Sequence, residues 1–485
     1  MRRIKYAYLV SFLLFIWVCG SSTIPKDKLL KPNILWIYVD DMSDWLGCYG
    51  DNTVETPNID ALAEHGVRFN RAYMPCPVCS PTRSALITGT MQTTYGIHHH
   101  ETLAKKPLPK EIITVPELFR KAGYLTFNEA KTHYNFTYNY NDLFSPEFVR
   151  PSKEIVRSHL VGHDLSWLEQ LKGKKFFGQI QLSGGKYQGE AGSKYPAPSR
   201  IKESEVNVPA QYPDNSVMRN AIARHYEQIV YCDSQVGAII QALKDYGLWE
   251  NTAVFFFTDH GCQMPRAKQH VYEEGAKVPF VVHWPKGSKQ LSNKGNVRDD
   301  LVSGIDIPVS SLALAGIEIP GFMGGRNLFE KNYKDRDFVV TARDRMGIAI
   351  DRVRAIRSKD FLYVRNYMLN RPLYQPAYRD GYATFISLRK LYDEGKLTPL
   401  QASYHDAKQR KGEELYHVKD DPNQLNNLAG DSDYASILIE HRKKLEDWVE
   451  KTDDKGQYPP DKDDLELMFK KSPDKCVNPE YDIFN

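Results

Sequence analysis

Cysteine is scarce in this chain, seven among 485 residues, and only Cys76 and Cys79 stand close together. So sparse a set is no disulfide framework, and a chain of this length buries enough surface to hold its core without staples. Charge of one sign is equally scarce, with 64 Lys and Arg against 61 Asp and Glu for a formal net charge of +3. The electrostatic footprint of a nucleic-acid binder is missing, so no nucleic-acid partner is expected. Internal repeats and low-complexity tracts are absent too. Long apolar runs are lacking except at the start, where Arg2, Arg3 and Lys5 precede an apolar Ala7 to Val18 and the small residues Gly20, Ser21 and Ser22. That run is too short for a stable membrane span in the mature protein. The pattern predicts a signal peptide over residues 1–22 and an exported, periplasmic or secreted, protein. Lipidation of Cys19 is the alternative to cleavage near Gly20.

What remains is 41% hydrophobic, 26% charged and 12% aromatic, the composition of a globular protein with a large core. At roughly 150 residues per domain, two or three domains are expected. Asn33 to Val39 and Ala253 to Phe257 are unbroken apolar runs, as strands buried on both faces require. Between them lie helical patterns at Asn58–His65, Ser80–Thr88, Pro116–Ala122 and Met218–Tyr246. In the last, Ile222, Tyr226, Ile229, Val236, Ile240 and Leu243 form an apolar stripe. Strands alternating with helices predict an α/β domain with a large, mainly parallel sheet sandwiched by helices. After about Lys334 the strands shorten, at Phe338–Ala342, Arg354–Arg357 and Phe361–Arg365, and a polar helix follows around Tyr434–Glu450. Residues 335–485 are therefore expected to form a smaller α+β domain with an antiparallel sheet, beside a catalytic domain over 23–334.

Each long strand ends in acids or an acid and a histidine: Asp40-Asp41 after the first, Asp259-His260 after the second. In a parallel sheet the carboxyl ends of the strands form one rim, where ligands bind. Like charges gathered there call for a cation, and oxygen ligands suit Ca²⁺ or Mg²⁺. Taken alone, either pair could equally cap a helix or occupy a solvated turn. Cys79-Ser80-Pro81-Thr82-Arg83 followed by Leu86-Ile87-Thr88-Gly89 is more specific. It resembles the signature of the formylglycine-dependent sulfatases of the alkaline-phosphatase-like superfamily, cysteine-x-proline-x-arginine and then leucine-x-threonine-glycine. Lys131 and His133 resemble the family's lysine-x-histidine element, and Lys268 with Tyr272-Glu273 its lysine-x-x-x-tyrosine-glutamate stretch. Glu414-Leu415-Tyr416 through Asn427-Leu428-Ala429 matches its C-terminal strand and turn.

The resemblance implies a sulfuric ester hydrolase. Cys79 is oxidised to formylglycine (3-oxoalanine) by a formylglycine-generating enzyme, and its hydrate is the nucleophile. Asp40, Asp41, Asp259 and His260, with residue 79, hold Ca²⁺ or Mg²⁺, and Arg83, Lys131, His133 and Lys268 serve catalysis. The implied substrate is a sulfated carbohydrate, as in polysaccharide degradation; an N–S bond, as in N-sulfoglucosamine sulfohydrolases, is an alternative. One departure stands out. Where many members carry the histidine that protonates the leaving group, this chain reads Ser183-Gly184-Gly185-Lys186-Tyr187, which leaves Lys186 or His270 for that task. Lys277 replaces an arginine, a structural change. His99 and His100 of the His98–His100 run and Arg345 of Arg343-Asp344-Arg345 are further candidates for touching the sugar; a solvated loop and a charged surface are the plainer readings.

Three rivals stay open. A phosphatase or phosphodiesterase of the same superfamily would use Ser80 or Thr82 with two zinc ions. A non-catalytic binder of sulfated glycan would leave Cys79 unmodified. Cys76-Pro77-Val78-Cys79 also has thioredoxin-like spacing. Asn135-Phe136-Thr137 is a glycosylation sequon.

Overall fold

Seven residues, Asn33–Val39, make β1, buried along its whole length. Its side chains alternate between two cores, as a strand's period of two demands. Leu35, Ile37 and Val39 join one cluster, and Ile34, Trp36 and Tyr38 the other. The protein is described from a computed structural model, over residues 31–148, 165–186, 201–292 and 294–484. The predicted leader, Cys19 and Tyr187 lie outside these residues.

The central sheet continues with β2 (Val67–Tyr73), β3 (Leu125–Glu129), β4 (Phe176–Leu182), β5 (Thr252–Thr258), β6 (Lys277–His283) and β7 (Val302–Ser303). In space the order is β7-β2-β6-β5-β1-β4-β3, with Val297–Arg298 adding an eighth strand against β2. All pairings are parallel except those of β6, which runs antiparallel to both β2 and β5. The mainly parallel sheet expected from the sequence is present, with β6 as its reversed member.

Helices α1 (Pro57–His65), α2 (Cys79–Thr88), α3 (Val115–Lys121), α4 (Ser216–Asp245) and α5 (Asp306–Leu314) cover the two faces. α4 packs with α1 on one side, and α3 and α5 on the other. The Asn215 side chain caps α4 by accepting from the Met218 N–H at 2.9 Å. Its stripe buries Ile222, Ile229, Val236 and Leu243 as expected, but Ile239 faces the core and Ile240 lies only half-buried at its edge.

A second sheet is antiparallel throughout: β8 (Phe338–Arg343), β9 (Val353–Ser358), β10 (Phe361–Asn366) and β11 (Glu413–His417). One face packs Val340, Ile356, Tyr363 and Leu415 on Leu445 of the helix Ala435–Thr452 and on Ala85 of α2. The opposite face packs Ala355, Leu362, Val364 and Tyr416 on Val271 and Tyr272. Both faces thus touch segments that carry site residues. Among the described residues, no helix is long and apolar enough to cross a membrane.

Candidate active site

Strand register assembles the rim. Val39 of β1 aligns with Thr258 of β5 and with Leu182 of β4, so the residues following each emerge side by side. The Asp259 N–H donates to the Val39 carbonyl and the Asp40 N–H to the Leu182 carbonyl, both at 2.9 Å. Asp40-Asp41, Ser183–Lys186 and Asp259-His260 therefore share one edge, and Lys131 joins them just past β3. The crossing is tight. A side chain at Gly185 would bring its Cβ within 1.9 Å of the Asp41 carbonyl oxygen. Asp41 itself holds φ +53, left-handed and strained for a non-glycine residue.

Helix α2 brings Cys79 to this rim. All ten of its residues are buried, and Cys79 is the first. A thiolate at a helix N-terminus gains from the unpaired N–H groups and the macrodipole. Burial opposes that charge, yet Lys131, Lys268, His260 and Lys186 together hold the Cys79 thiol well below its usual range. Its Sγ lies 3.4 Å from His260 Nε2, 3.6 Å from Lys186 Nζ, 3.7 Å from Asp41 Oδ1 and 3.8 Å from Lys268 Nζ. Arg83, one turn on, points the same way. It pairs with Asp40, donates to Gln181 Oε1 at 2.7 Å, and lies over the Tyr38 ring at 4.3 Å. The helix ends at Gly89, whose φ of +69 is left-handed and whose N–H reaches back to the last turn. That explains the glycine closing the motif.

The carboxylates are unequally served. Asp40 meets Arg83 and takes Lys131 and Lys186 at 3.0 Å each. Asp41 pairs with Lys268, contacts His260 Nε2 at 2.9 Å and accepts from Gln263 at 2.6 Å. Asp259 is left short. Its Oδ1 accepts the Asp41 N–H at 3.0 Å, but Oδ2 is buried without a hydrogen bond, with Arg83 Nε 3.4 Å away. Burial, with Asp40 and residue 79 adding negative charge, pushes its carboxyl up to about 7. A carboxylate that resists ionising beside another acid needs a cation. Donor atoms of Asp41, Cys79, Asp259 and His260 lie within 4.8 Å of one another. The residues present fit a divalent ion, and the carboxylate oxygens favour a hard one.

The remaining candidates fall into two groups. His133 and His100 flank Glu101, with their Nε2 atoms 3.1 and 3.4 Å from its Oε1. His99 is half-buried and its ring is tilted against that of His98, centroids 4.1 Å apart. His270 is buried, with its Nδ1 2.7 Å from Arg343 Nη1. Burial and the Arg343, Arg379 and Arg266 guanidinium groups keep it neutral, well below the ordinary histidine range. Arg343, Asp344 and Arg345 are buried and not a charged surface. The Arg345 carbonyl accepts the His100 N–H at 2.8 Å, its guanidinium donates to the His100 carbonyl, and it pairs with Asp464 of the helix Lys462–Lys471. Asp464 also accepts the Leu103 and Ala104 N–H groups. Replacing Asp464 by Ala should cost about 3–5 kcal/mol, the toll of stranding a buried arginine. Urea denaturation would measure it, and an unchanged midpoint would refute the clamp.

Sequence reading missed Gln181, Gln263, Glu101 and Tyr378, whose ring lies 6.0 Å from that of His100. None sits in a motif; only the polar glutamines beside the acidic rim gave any signal. Cys76 packs with Val78 and Met346, and both it and Cys79 are free thiols. Asn135 is buried, and its amide donates to the Ile97 and His99 carbonyls at 3.0 and 2.7 Å, which leaves no place for a glycan.

A cysteine at a helix N-terminus, ringed by cations on the carboxyl rim of a mainly parallel sheet, is built to attack an anionic ester. The sulfatase family profile matches residues 32–317, and the chain belongs to that family. It is 30% identical over 475 residues to an ulvan-active sulfatase of Formosa agariphila, covering 88% of this chain and 76% of that protein. It is 26% identical over 496 residues to the N-sulphoglucosamine sulphohydrolase of Homo sapiens, covering 93% and 95%. The solved structure of a 2-O GAG sulfatase superposes with a TM-score of 0.61 at 22% identity, over 87% of this chain and 93% of that one, a likeness of fold. This protein is a sulfatase, with the fold of the alkaline-phosphatase-like superfamily.

Proposed function

We propose that the enzyme removes sulfate from a sulfated carbohydrate. In this reading Cys79 is matured to formylglycine by a formylglycine-generating enzyme, and Asp40, Asp41, Asp259 and His260, with residue 79, hold Ca²⁺, or Mg²⁺ in its place. The observation that carries it is the ring of cations around Cys79, with Lys186 and Lys268 within 3.6 and 3.8 Å of its Sγ. When present, the aldehyde hydrate supplies one hydroxyl for attack on sulfur and a second whose deprotonation releases sulfate.

The chain's own side chains supply the rest. Arg83, Lys131, Lys186 and Lys268 offset the charge of the sulfate oxygens, which would otherwise repel any nucleophile. Asp40 and Asp41 keep those ammonium groups in place. An ion held by the carboxylates would add charge where the ester oxygens sit. Residues 23–334 carry this machinery, and 335–485 brace it through Arg345 and Asp464. The leader over 1–22 suits an exported enzyme acting on polysaccharide, and the relatives on ulvan and on N-sulfoglucosamine direct the choice of substrates.

Peptide mass spectrometry on Ala72–Arg83, from protein made with a formylglycine-generating enzyme, tests the maturation. An aldehyde or its hydrate at residue 79 supports it; an unmodified thiol, or a Cys76–Cys79 disulfide, overturns it. Sulfate release from ulvan oligosaccharides, glycosaminoglycan disaccharides and N-sulfoglucosamine then tests the substrate class. Chelation should lower kcat by about a hundredfold or more, with Ca²⁺ restoring it. Full activity in metal-free enzyme would remove the ion from the account.

A further inference from the structure

The lysines beside Cys79 are committed to carboxylates: Lys131 and Lys186 to Asp40, Lys268 to Asp41. His270 is turned to Arg343. Each of these already has a partner, and the position after β4 holds no histidine.

A different arrangement stands near Cys79. Glu101 Oε1 lies 3.1 Å from His133 Nε2 and 3.4 Å from His100 Nε2, and His100 in turn reaches the Cys79 side chain. Glu101 is 45% exposed, yet its backbone is not free. Its N–H donates to Ser80 Oγ at 3.2 Å, next to the nucleophile, and both Glu101 and His133 hold φ +58. Left-handed backbone in non-glycine residues persists where the surroundings over-determine it, and it gathers at functional sites. With Nε2–H given to Glu101, the Nδ1 of His133 is left buried and without a hydrogen-bond partner.

We propose that Glu101 is a positioning residue, which holds His133, with His100 beside it, in the orientation that delivers a proton to the leaving sugar oxygen. As a hydroxyl oxygen of the residue-79 hydrate bonds to sulfur, the sulfur–oxygen bond to the sugar breaks, and its electron pair stays on the sugar oxygen, which takes the Nδ1 proton of His133. The sulfuryl group stays on the enzyme, and solvent later restores the proton. Glu101 supplies the counter-charge and fixes the ring, as a carboxylate does for the histidine of a hydrolase triad. This rests on the sulfate-ester reading above.

The test compares the metal-loaded wild type with Glu101→Ala and Glu101→Gln on two substrates. One is whichever sulfated oligosaccharide the wild type turns over, and the other is 4-methylumbelliferyl sulfate, whose phenolate leaves without a proton. Glu101→Ala should lose about a hundredfold in kcat on the sugar sulfate and less than about fivefold on the aryl sulfate. KM and melting temperature should hold, and Glu101→Gln should fall between. A cycle on the sugar sulfate alone repeats the test: adding Glu101→Ala to His133→Ala should cost nothing further. Equal losses on both substrates, a loss confined to KM, or additive effects in the cycle would overturn the proposal. So would stoichiometric zinc that depends on Glu101, since two histidines and a carboxylate can also bind a metal. An enzyme with its aldehyde in place that hydrolyses neither ester would remove the sulfate-ester reading and this proposal together.

Discussion

Cys79→Ala is expected to lower kcat by about 10⁶-fold, the loss seen when a hydrolase forfeits its nucleophile. The side chain is buried at the start of α2, and the two hydroxyls nearest to it in the motif already have partners. Ser80 Oγ accepts the Glu101 N–H at 3.2 Å, and the Thr82 hydroxyl donates to the Cys76 carbonyl. The variant should still fold. α2 keeps its packing and its left-handed Gly89 stop, and the paired carboxylates and cations around it stay matched. It should also still bind the ester, because Arg83, Lys131, Lys186 and Lys268 survive. A substrate-dependent rise in melting temperature would report that binding. Residual turnover above about one per cent of wild type would sink a mechanism centred on residue 79 and return attention to Ser80 or Thr82.

Much of this site was legible in the sequence because its residues follow strand ends. NILWIYV and AVFFF read as strands buried on both faces, which puts Asp40-Asp41 and Asp259-His260 at strand ends; register then sets them side by side. Arg83 was legible as one helical turn from Cys79. Glu101 was not. It sits in a loop without periodicity, and its place depends on Ser80, on His133 and on Arg345 holding His100. The antiparallel β6 was hidden too, because a short apolar run does not reveal its direction. Arg343–Arg345 looked like a surface cluster, since three charged residues in a row seldom sink into a core. Here Asp351 in the next turn, and Asp454 and Asp464 from distant segments, receive the charges of Arg343, Arg354 and Arg345, so the burial could not be read locally.

Lys268→Met should separate the two tasks of one ammonium group. Lys268 is 2% exposed, and its loop is fixed by the Lys268 N–H to the Cys262 carbonyl and the Gln269 N–H to the Pro77 carbonyl at 2.7 Å. Methionine fills nearly the same space, so packing should survive while the charge goes. Asp41 then loses its lysine but keeps His260 and the Gln263 amide. Stranding a buried partner costs about 3–5 kcal/mol, and those two contacts put this case at the low end. Catalysis should suffer more. Removing one preorganised positive group from the place where charge develops lowers kcat by about 10²–10³-fold. The ion should respond in the opposite sense, because Lys268 competes with it for the Asp41 carboxylate. Freed of that ammonium, Asp41 should hold Ca²⁺ more tightly, and excess Ca²⁺ should recover stability without recovering kcat. Calorimetric Ca²⁺ titration beside steady-state kinetics distinguishes the cases. A variant that binds Ca²⁺ more weakly and loses stability and activity in step would make Lys268 a structural brace alone.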